Sequence, residues 1–136
     1  MALWPAFCST APLGWGDGVA ATVTLAGIAF EGIADQQLRA FRLAGHPKGT
    51  ILKSGIWAWS RHPNYFGEMT FWWGLFLFAA FSAPQWWVVT GALSITLLFL
   101  TVSLPMIETR HTARREGWAA HAERTPRVFL WPPRAS

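Results

Sequence analysis

Residues Ser60 to Glu68 read SRHPNYFGE, a dense run of polar and charged side chains that we call the polar motif. The next charged side chain along the chain is Glu108, and the residues in between are rich in Phe, Leu and Trp. Ionisable groups are costly at membrane depth and persist there mainly where they serve a function. A polar cluster set against so long an uncharged segment therefore predicts a membrane-embedded functional site.

The composition of the 136-residue chain agrees with a membrane location. Hydrophobic residues make up 52% of it and charged residues only 13%, so its sides need lipid or a protein partner to cover them. The net charge of +4 does not indicate nucleic-acid binding, because the basic residues flank apolar segments and form no continuous stripe. The lone Cys8 and the scattered histidines show no metal-ligand spacing, so we expect no metal.

Three apolar segments predict an all-α, polytopic transmembrane protein. The first, Val19 to Ala34, nearly crosses a hydrocarbon core of about 30 Å at about 1.5 Å per residue. The second and third, Phe66 to Ala83 and Gln85 to Ile107, form a helical hairpin that turns at Ser82 to Pro84. We expect a single membrane domain over residues 1–136, with about three spans and a C-terminal amphipathic helix.

Charge asymmetry predicts the orientation. All eleven lysines and arginines lie at or after Arg39, and none falls in the predicted hairpin turn. Because lysine and arginine are retained on the cytoplasmic side, we expect an integral protein of the bacterial inner membrane with its N-terminus outside and its C-terminus in the cytoplasm. We interpret Gly14 to Gly18 as a turn before the first span. Leu43 to Gly55, which is rich in glycine, is expected to be irregular.

The first polar cluster lies where the first span leaves the membrane. Glu31, Asp35, Arg39 and Arg42 recur at spacings that place them on one face of a helix. Salt bridges along a solvated helix are the simpler interpretation of this stripe. Glu31 is harder to explain in that way, because it lies within the apolar span, where a carboxylate needs a protein interior or a wet cavity.

The polar motif is the second cluster. Arg61 and His62 offer positive charge and hydrogen-bond donors to an anion, and Asn64 is placed to begin a helix on which Glu68 follows one turn later. A carboxylate beside an amide suits the amide or ribose hydroxyls of a nucleotide cofactor, while arginine suits its phosphates. The alternative is an interfacial helix cap with an arginine that reaches back to the headgroups.

The third cluster follows the last span. Arg110 and Arg114 share a helix face, with His111 and Arg115 beside them, on the predicted cytoplasmic side. A positive-inside anchor explains part of this charge. We nevertheless expect the three clusters to meet in one pocket near the inner interface, lined by Glu31, Asp35, Asn64, Glu68 and at least one of Arg110 and Arg114.

Several strings resemble the DUF1295 family of steroid 5-alpha-reductase-like membrane proteins: EGIADQQ at residues 31–37, GIWAWSRHPNYFGE at residues 55–68 and WWG at residues 72–74. The resemblance is to the C-terminal half of such proteins. It implies a membrane reductase that holds NADPH and delivers hydride to the C=C bond of a lipid-like or steroid-like enone. With Glu31 at a position where the steroid reductases usually carry asparagine, the predicted cofactor-binding residues are Glu31, Asp35, Arg42, Arg61, His62, Asn64, Tyr65, Glu68, Arg110 and Arg114.

The chain also departs from that family. It shows no counterpart of the N-terminal half, which in the steroid reductases supplies the carboxylate and the tyrosine that polarise the substrate carbonyl. Trp118 and His121 stand where the family usually has a pair of tyrosines. We therefore assign no catalytic residue, and expect a cofactor half-site that acts on a hydrophobic small molecule with a separate N-terminal half or as a homo-oligomer.

Two other functions stay open at this point. The pattern RHPxYxG at residues 61–67 also resembles the membrane isoprenylcysteine and phospholipid methyltransferases, which use S-adenosylmethionine. Asn64 and Glu68 favour the reductase, and the methyltransferases tend to carry adjacent glutamates after the last span, where Glu108 stands alone. The third possibility is a non-catalytic, truncated membrane subunit.

Overall fold

The computed structural model describes residues 12–82 and 86–132, and within these ranges the chain is helical and contains no β-strand. The predicted turn therefore lies largely outside the described residues, at positions 83–85. The helices are α1 (Trp15–Leu43), α2 (Pro63–Ser82), α3 (Val89–Leu98), α4 (Leu104–Arg114) and α5 (Trp118–Arg124). Short 3-10 turns cover Gly55–Ala58 and Trp86–Val88, and a π-helical turn at Phe99–Ser103 joins α3 and α4 into one continuous helix.

Helix α1 begins earlier and ends later than the first predicted span. The interpretation of Gly14 to Gly18 as a turn is wrong, because the helix starts at Trp15. The backbone N–H of Gly14 donates to Asp17 Oδ2 at 2.8 Å, which satisfies one of the donors that a helix leaves free at its N-terminus. The carboxylate of Asp17 also interacts favourably with the helix dipole. A capped first turn thus allows glycine-rich sequence to be helical.

Helices α1 and α2 pack antiparallel through small residues. Gly16 lies against Phe81 at one end of the pair, and Gly67 lies against Glu31 toward the other. A Cβ atom on Gly67 would stand 2.6 Å from the backbone nitrogen of Glu31, which is closer than real Cβ contacts come. The absence of a side chain at Gly67 thus permits the backbone of α1 to approach closely. This pairing fixes where the polar motif lies relative to the end of α1.

Two helices are long and apolar enough to cross a membrane. They are Trp15–Leu43 and Val89–Arg114, whose most apolar stretches of 18 residues have mean hydropathies of 1.3 and 1.8. Only 17% of the most apolar stretch of each is buried inside the protein, whereas the core helix of a soluble domain is mostly buried. Helix α2 does not reach this hydropathy, because its tryptophans, glycines and Glu68 dilute its phenylalanines and leucines. Three spans therefore stay a prediction.

The connection from α1 to α2 is irregular, as predicted, and it is anchored on α1. Gly45, Gly49 and Gly55 adopt positive φ angles of 71°, 90° and 61°, a region that other residues rarely occupy. The indole N–H of Trp57 donates to the carbonyl of Ala34 at 3.0 Å. These two residues and Leu52 form one buried apolar cluster, which holds the loop against the cytoplasmic end of α1 predicted from the charges.

The chain after α5 is not helical, in agreement with its prolines. We call residues 126–131 the C-terminal segment. It runs beside residues 59–61, and three hydrogen bonds join them: Arg61 N–H to Pro126 O at 2.9 Å, Ser60 Oγ–H to Val128 O at 2.8 Å, and Trp131 N–H to Trp59 O at 3.2 Å. The start of the polar motif is thus held by the last described residues of the chain.

Candidate ligand-binding site

The polar motif opens into a cavity of about 270 Å³, which we call the first cavity. It lies where the end of α1, the loop, the start of α2 and the α4–α5 region meet. The lining residues are Leu38, Phe41 and Arg42 from α1; Ile51, Leu52 and Trp57 from the loop; Arg61, His62, Asn64 and Tyr65 from the motif; and Ile107, His111, Arg115, Trp118 and His121 from the last part of the chain.

The first cavity brings together some of the predicted cofactor residues and excludes others. Arg42, Arg61, His62, Asn64 and Tyr65 line it, whereas Glu31, Asp35, Glu68, Arg110 and Arg114 do not. The three clusters therefore do not all line the first cavity, and one pocket shared by all of them stays a prediction. Whether any of these residues binds a cofactor stays a prediction.

The excluded carboxylates form a separate acidic cluster. Glu31, Asp35 and Glu68 lie close enough to interact electrostatically. Glu68 follows Asn64 by one turn, about 6 Å further along α2, where that helix already packs against α1. Asn64 and Glu68 lie one turn apart on the same face of α2, as their spacing predicts. Of the two, only Asn64 lines the first cavity.

The basic residues after the last span divide between solvent and cavity. Arg110 and Arg114 are exposed on α4, while His111 lines the first cavity. Successive residues on a helix are rotated by about 100°, so a difference of one position decides which side chain faces inward. The cavity-facing arginine of this region is Arg115, beside the predicted Arg114.

Glu108 is the centre of a partly buried ion network. Its Oε1 lies 2.7 Å from Arg61 Nη1, and its Oε2 lies 3.0 Å from Arg127 Nε. The Arg61 and Glu108 side chains are only 12% and 18% exposed. Burial lowers the pKa of the Arg61 guanidinium from its usual value, and the Glu108 carboxylate opposes that shift. Arg61 thus forms an ion pair with Glu108 and is less free to bind a ligand. The sequence did not predict this ion pair.

Neutral histidines form one wall of the first cavity. His62 is 3% exposed and His121 is 7% exposed. Burial, followed by the positive charge of neighbouring groups, lowers the pKa of His62 to about 3 and that of His121 to about 4. The His111 ring is nearly parallel to the His62 ring at 6.2 Å between centres and meets the Trp118 ring edge-on at 4.4 Å. Buried His111 Nδ1 has no hydrogen-bond partner among the described residues, so this atom is available to a ligand.

Two arginines supply positive charge at the same cavity. The Arg115 guanidinium lies 5.6 Å from the centre of the Trp118 ring, a cation–π arrangement. Burial first, and then the nearby charge of Arg42, lowers the pKa of Arg115. Within the described ranges neither arginine forms an ion pair, and no described lining residue is a carboxylate. The cavity therefore favours an anion.

The buried histidines predict a dependence of stability on pH. In the unfolded chain histidine titrates near 6.5, so below that pH the unfolded state binds more protons than the folded state. Stability then falls by up to about 1.4 kcal/mol per pH unit for each histidine. We expect His62 and His121 together to lower the free energy of unfolding in detergent by about 3 kcal/mol between pH 7.5 and 5.5. His62→Gln should reduce the observed drop by about 1.4 kcal/mol, and an unchanged drop would contradict the buried neutral state.

The described residues contain no group of three or more His, Cys, Asp or Glu side chains placed to hold a metal ion. No curated protein and no solved structure shows significant similarity to the chain. Residues 3–125 match a family described as "Protein of unknown function (DUF1295)", and this match covers most of the sequence. The chain therefore belongs to the DUF1295 family, as its resemblance predicted.

Proposed function

We propose that the chain is a membrane-embedded, NADPH-dependent reductase-like protein that acts on the C=C bond of a lipid-like or steroid-like enone. The observation that carries this proposal is the closeness of Arg42 and Arg115 in a cavity whose described lining includes no carboxylate. Two guanidinium groups suit the pyrophosphate of a dinucleotide. S-adenosylmethionine has no phosphate and carries a cationic sulfonium, so the same lining suits it less.

The residues present fit one end of the dinucleotide. The first cavity of about 270 Å³ is smaller than the range of about 300–1,000 Å³ that encloses a drug-sized ligand. Trp57, Tyr65 and Trp118 provide aromatic surface, and His111 Nδ1 offers a free hydrogen-bonding atom. NADPH, when bound, supplies a hydride. Arg42 and Arg115 would hold the anion. Their role in this proposal is ligand binding and not proton transfer.

The imidazoles define where a proton is held at this site. His62 is neutral at pH 7 because its pKa lies at about 3, and His111 faces it across 6.2 Å between ring centres. A neutral imidazole has one N–H donor and one acceptor nitrogen. Because the described lining contains no carboxylate, a proton beside the ligand is carried by a histidine nitrogen or the Tyr65 hydroxyl.

The exposed apolar faces of α1 and of the Val89–Arg114 helix support three further parts of the proposal. Lipid covers these faces, the hydrophobic substrate enters from the bilayer, and a separate N-terminal half or a second copy completes the substrate site. The orientation predicted from the charges places the first cavity on the cytoplasmic side, where NADPH is available.

Ligand titration of the detergent-solubilised protein tests the function. We expect NADPH to bind, and Arg42→Gln and Arg115→Gln each to weaken binding by about 10-fold or more, because a hydrogen bond to a charged group contributes about 1.5–3 kcal/mol. NADPH affinity should fall as salt is raised, since ions screen exposed charges within about 8 Å at physiological ionic strength.

The control for this titration is Arg39→Gln, because Arg39 is exposed on the same helix and does not line the first cavity. It should leave NADPH affinity within about twofold of the wild type, because exposed charges at a distance are largely screened. Tight binding of S-adenosylmethionine without NADPH would replace the reductase by a methyltransferase. Binding of neither ligand would favour the non-catalytic subunit.

A further inference from the structure

A second cavity, of about 410 Å³, shares a wall with the first. It lies between the end of the loop, at Lys53, and helix α5. His121 is the one described residue that lines both cavities, and we call it the partition between them. A ligand larger than the first cavity could therefore extend into the second.

The chemistry of the second cavity is that of an anion site. Lys53 and Arg124 line it with two positive charges, and no carboxylate lies among its described lining residues. Arg124 also lines a neighbouring depression, which it shares with Glu123 and Arg127. Within the described ranges, the ion pairs at Glu108 involve neither Lys53 nor Arg124. Both charges are therefore available to a ligand.

The partition adds buried polar groups to this surface. His121 is 7% exposed and Thr125 is 4% exposed, and His121 Nδ1 lies 3.2 Å from Thr125 Oγ1. Lys53 is near enough for its charge to act on the His121 ring, and burial together with that charge keeps the ring neutral at pH 7. A neutral ring beside two cations can donate a hydrogen bond to an anion without adding a third charge that would need to be compensated.

The geometry points to the second cavity as a binding site for a phosphomonoester, with Lys53 and Arg124 as its cationic contacts. On the proposed function, on which this identification rests, the group is the 2′-phosphate of NADPH, while Arg42 and Arg115 hold the pyrophosphate. The headgroup of an anionic lipid such as phosphatidic acid offers the same phosphomonoester chemistry. The experiment therefore separates these two sources.

Comparison of NADPH with NADH isolates the 2′-phosphate, because NADH lacks only that group. We expect the double variant Lys53→Gln/Arg124→Gln to weaken NADPH binding by about 10-fold or more and to leave NADH affinity within about twofold of the wild type. Lys48→Gln is the matched control, because Lys48 is an exposed lysine of the same loop and lines neither cavity. It should change neither affinity. Equal weakening of both dinucleotides, or of neither, would overturn the 2′-phosphate assignment.

Inorganic phosphate tests the second cavity without any dinucleotide, so failure here and failure of the proposed function can be told apart. Protein-dependent broadening of the phosphorus-31 resonance is expected for the wild type and Lys48→Gln, and its loss is expected for the double variant. Equal broadening in all three proteins, or none in the wild type, would refute the anion site even if NADPH binds. Conversely, broadening that needs Lys53 and Arg124 would keep the anion site even if neither dinucleotide binds.

Nanodiscs with and without phosphatidic acid address the lipid source. If the double variant changes association with phosphatidic acid and leaves the ratio of NADPH to NADH affinity unchanged, the site belongs to a lipid headgroup and the cofactor assignment fails. Both variants replace exposed side chains, and their unfolding midpoints should match the wild type. This check excludes loss of folding as the cause of a changed affinity.

Discussion

Replacing Glu108 with alanine is expected to lower the free energy of unfolding by about 3–5 kcal/mol, because it leaves buried positive charge without a partner. Glu108 is the carboxylate that both Arg61 and Arg127 contact, at 2.7 Å and 3.0 Å. Alanine is a better helix former than glutamate, so the loss cannot come from helix propensity. Reversible unfolding of the detergent-solubilised protein, followed by circular dichroism, measures the change.

Glu116→Ala provides the control, because Glu116 is exposed between α4 and α5 and does not take part in the Glu108 network. Its effect should stay within about 0.5 kcal/mol. A loss of less than about 1 kcal/mol for Glu108→Ala would mean that water solvates Arg61 and Arg127, and that the network is not a buried one.

Gly67→Ala is expected to destabilise the protein by about 3 kcal/mol, at the upper end of the usual range for overpacking. The added Cβ atom would meet the backbone nitrogen and Cα of Glu31 at 2.6 Å and 2.9 Å. Backbone atoms cannot rotate away as a flexible side chain can, so α1 and α2 would have to separate. The same unfolding measurement reports the effect.

Gly32→Ala is the matched control on α1, since a Cβ atom there would meet no atom within 4 Å. Alanine at this position should be neutral or stabilise the helix by up to about 1 kcal/mol. If both variants behave alike, the close approach of the two helices at Gly67 is not what holds them together.

Hydropathy and the positions of glycine and proline were sufficient to predict most of the fold. The apolar runs predicted helices where the structure has α1, α2 and the Val89–Arg114 helix, and glycine predicted the irregular loop. The start of α1 was missed because glycine argues against a helix, and only a local cap at Asp17 reverses that preference. Hydropathy also does not determine whether α2 spans a membrane.

The candidate site was only partly predictable. The motif residues were found because polar groups beside an apolar run stand out, and His62, Asn64 and Tyr65 do line the first cavity. Helical spacing tells which residues share a face, but not how far along its axis each helix meets its neighbour or how it is rotated. For that reason the spacing did not show that Arg115 lines the first cavity and that Glu68 does not.

The remaining lining residues were beyond sequence reasoning for a different reason. Trp118 and His121 were noted only as departures from the family pattern, and their place in the cavity wall depends on how α5 folds back onto the motif. Glu108 was visible as the first charge after a long uncharged run. Its partners, Arg61 and Arg127, come from segments far apart in sequence, so no local sequence pattern predicts the network.

The pairing of residues 59–61 with the C-terminal segment has a consequence for biosynthesis. A ribosome makes the chain from its N-terminus, and α1 and α2 are complete long before Pro126 and Val128 exist to accept their hydrogen bonds from Arg61 and Ser60. The two helices can therefore pair while the ligand site still lacks the wall that Trp118 and His121 of α5 provide. The site is completed only after α5 has been made and the C-terminal segment has paired with residues 59–61.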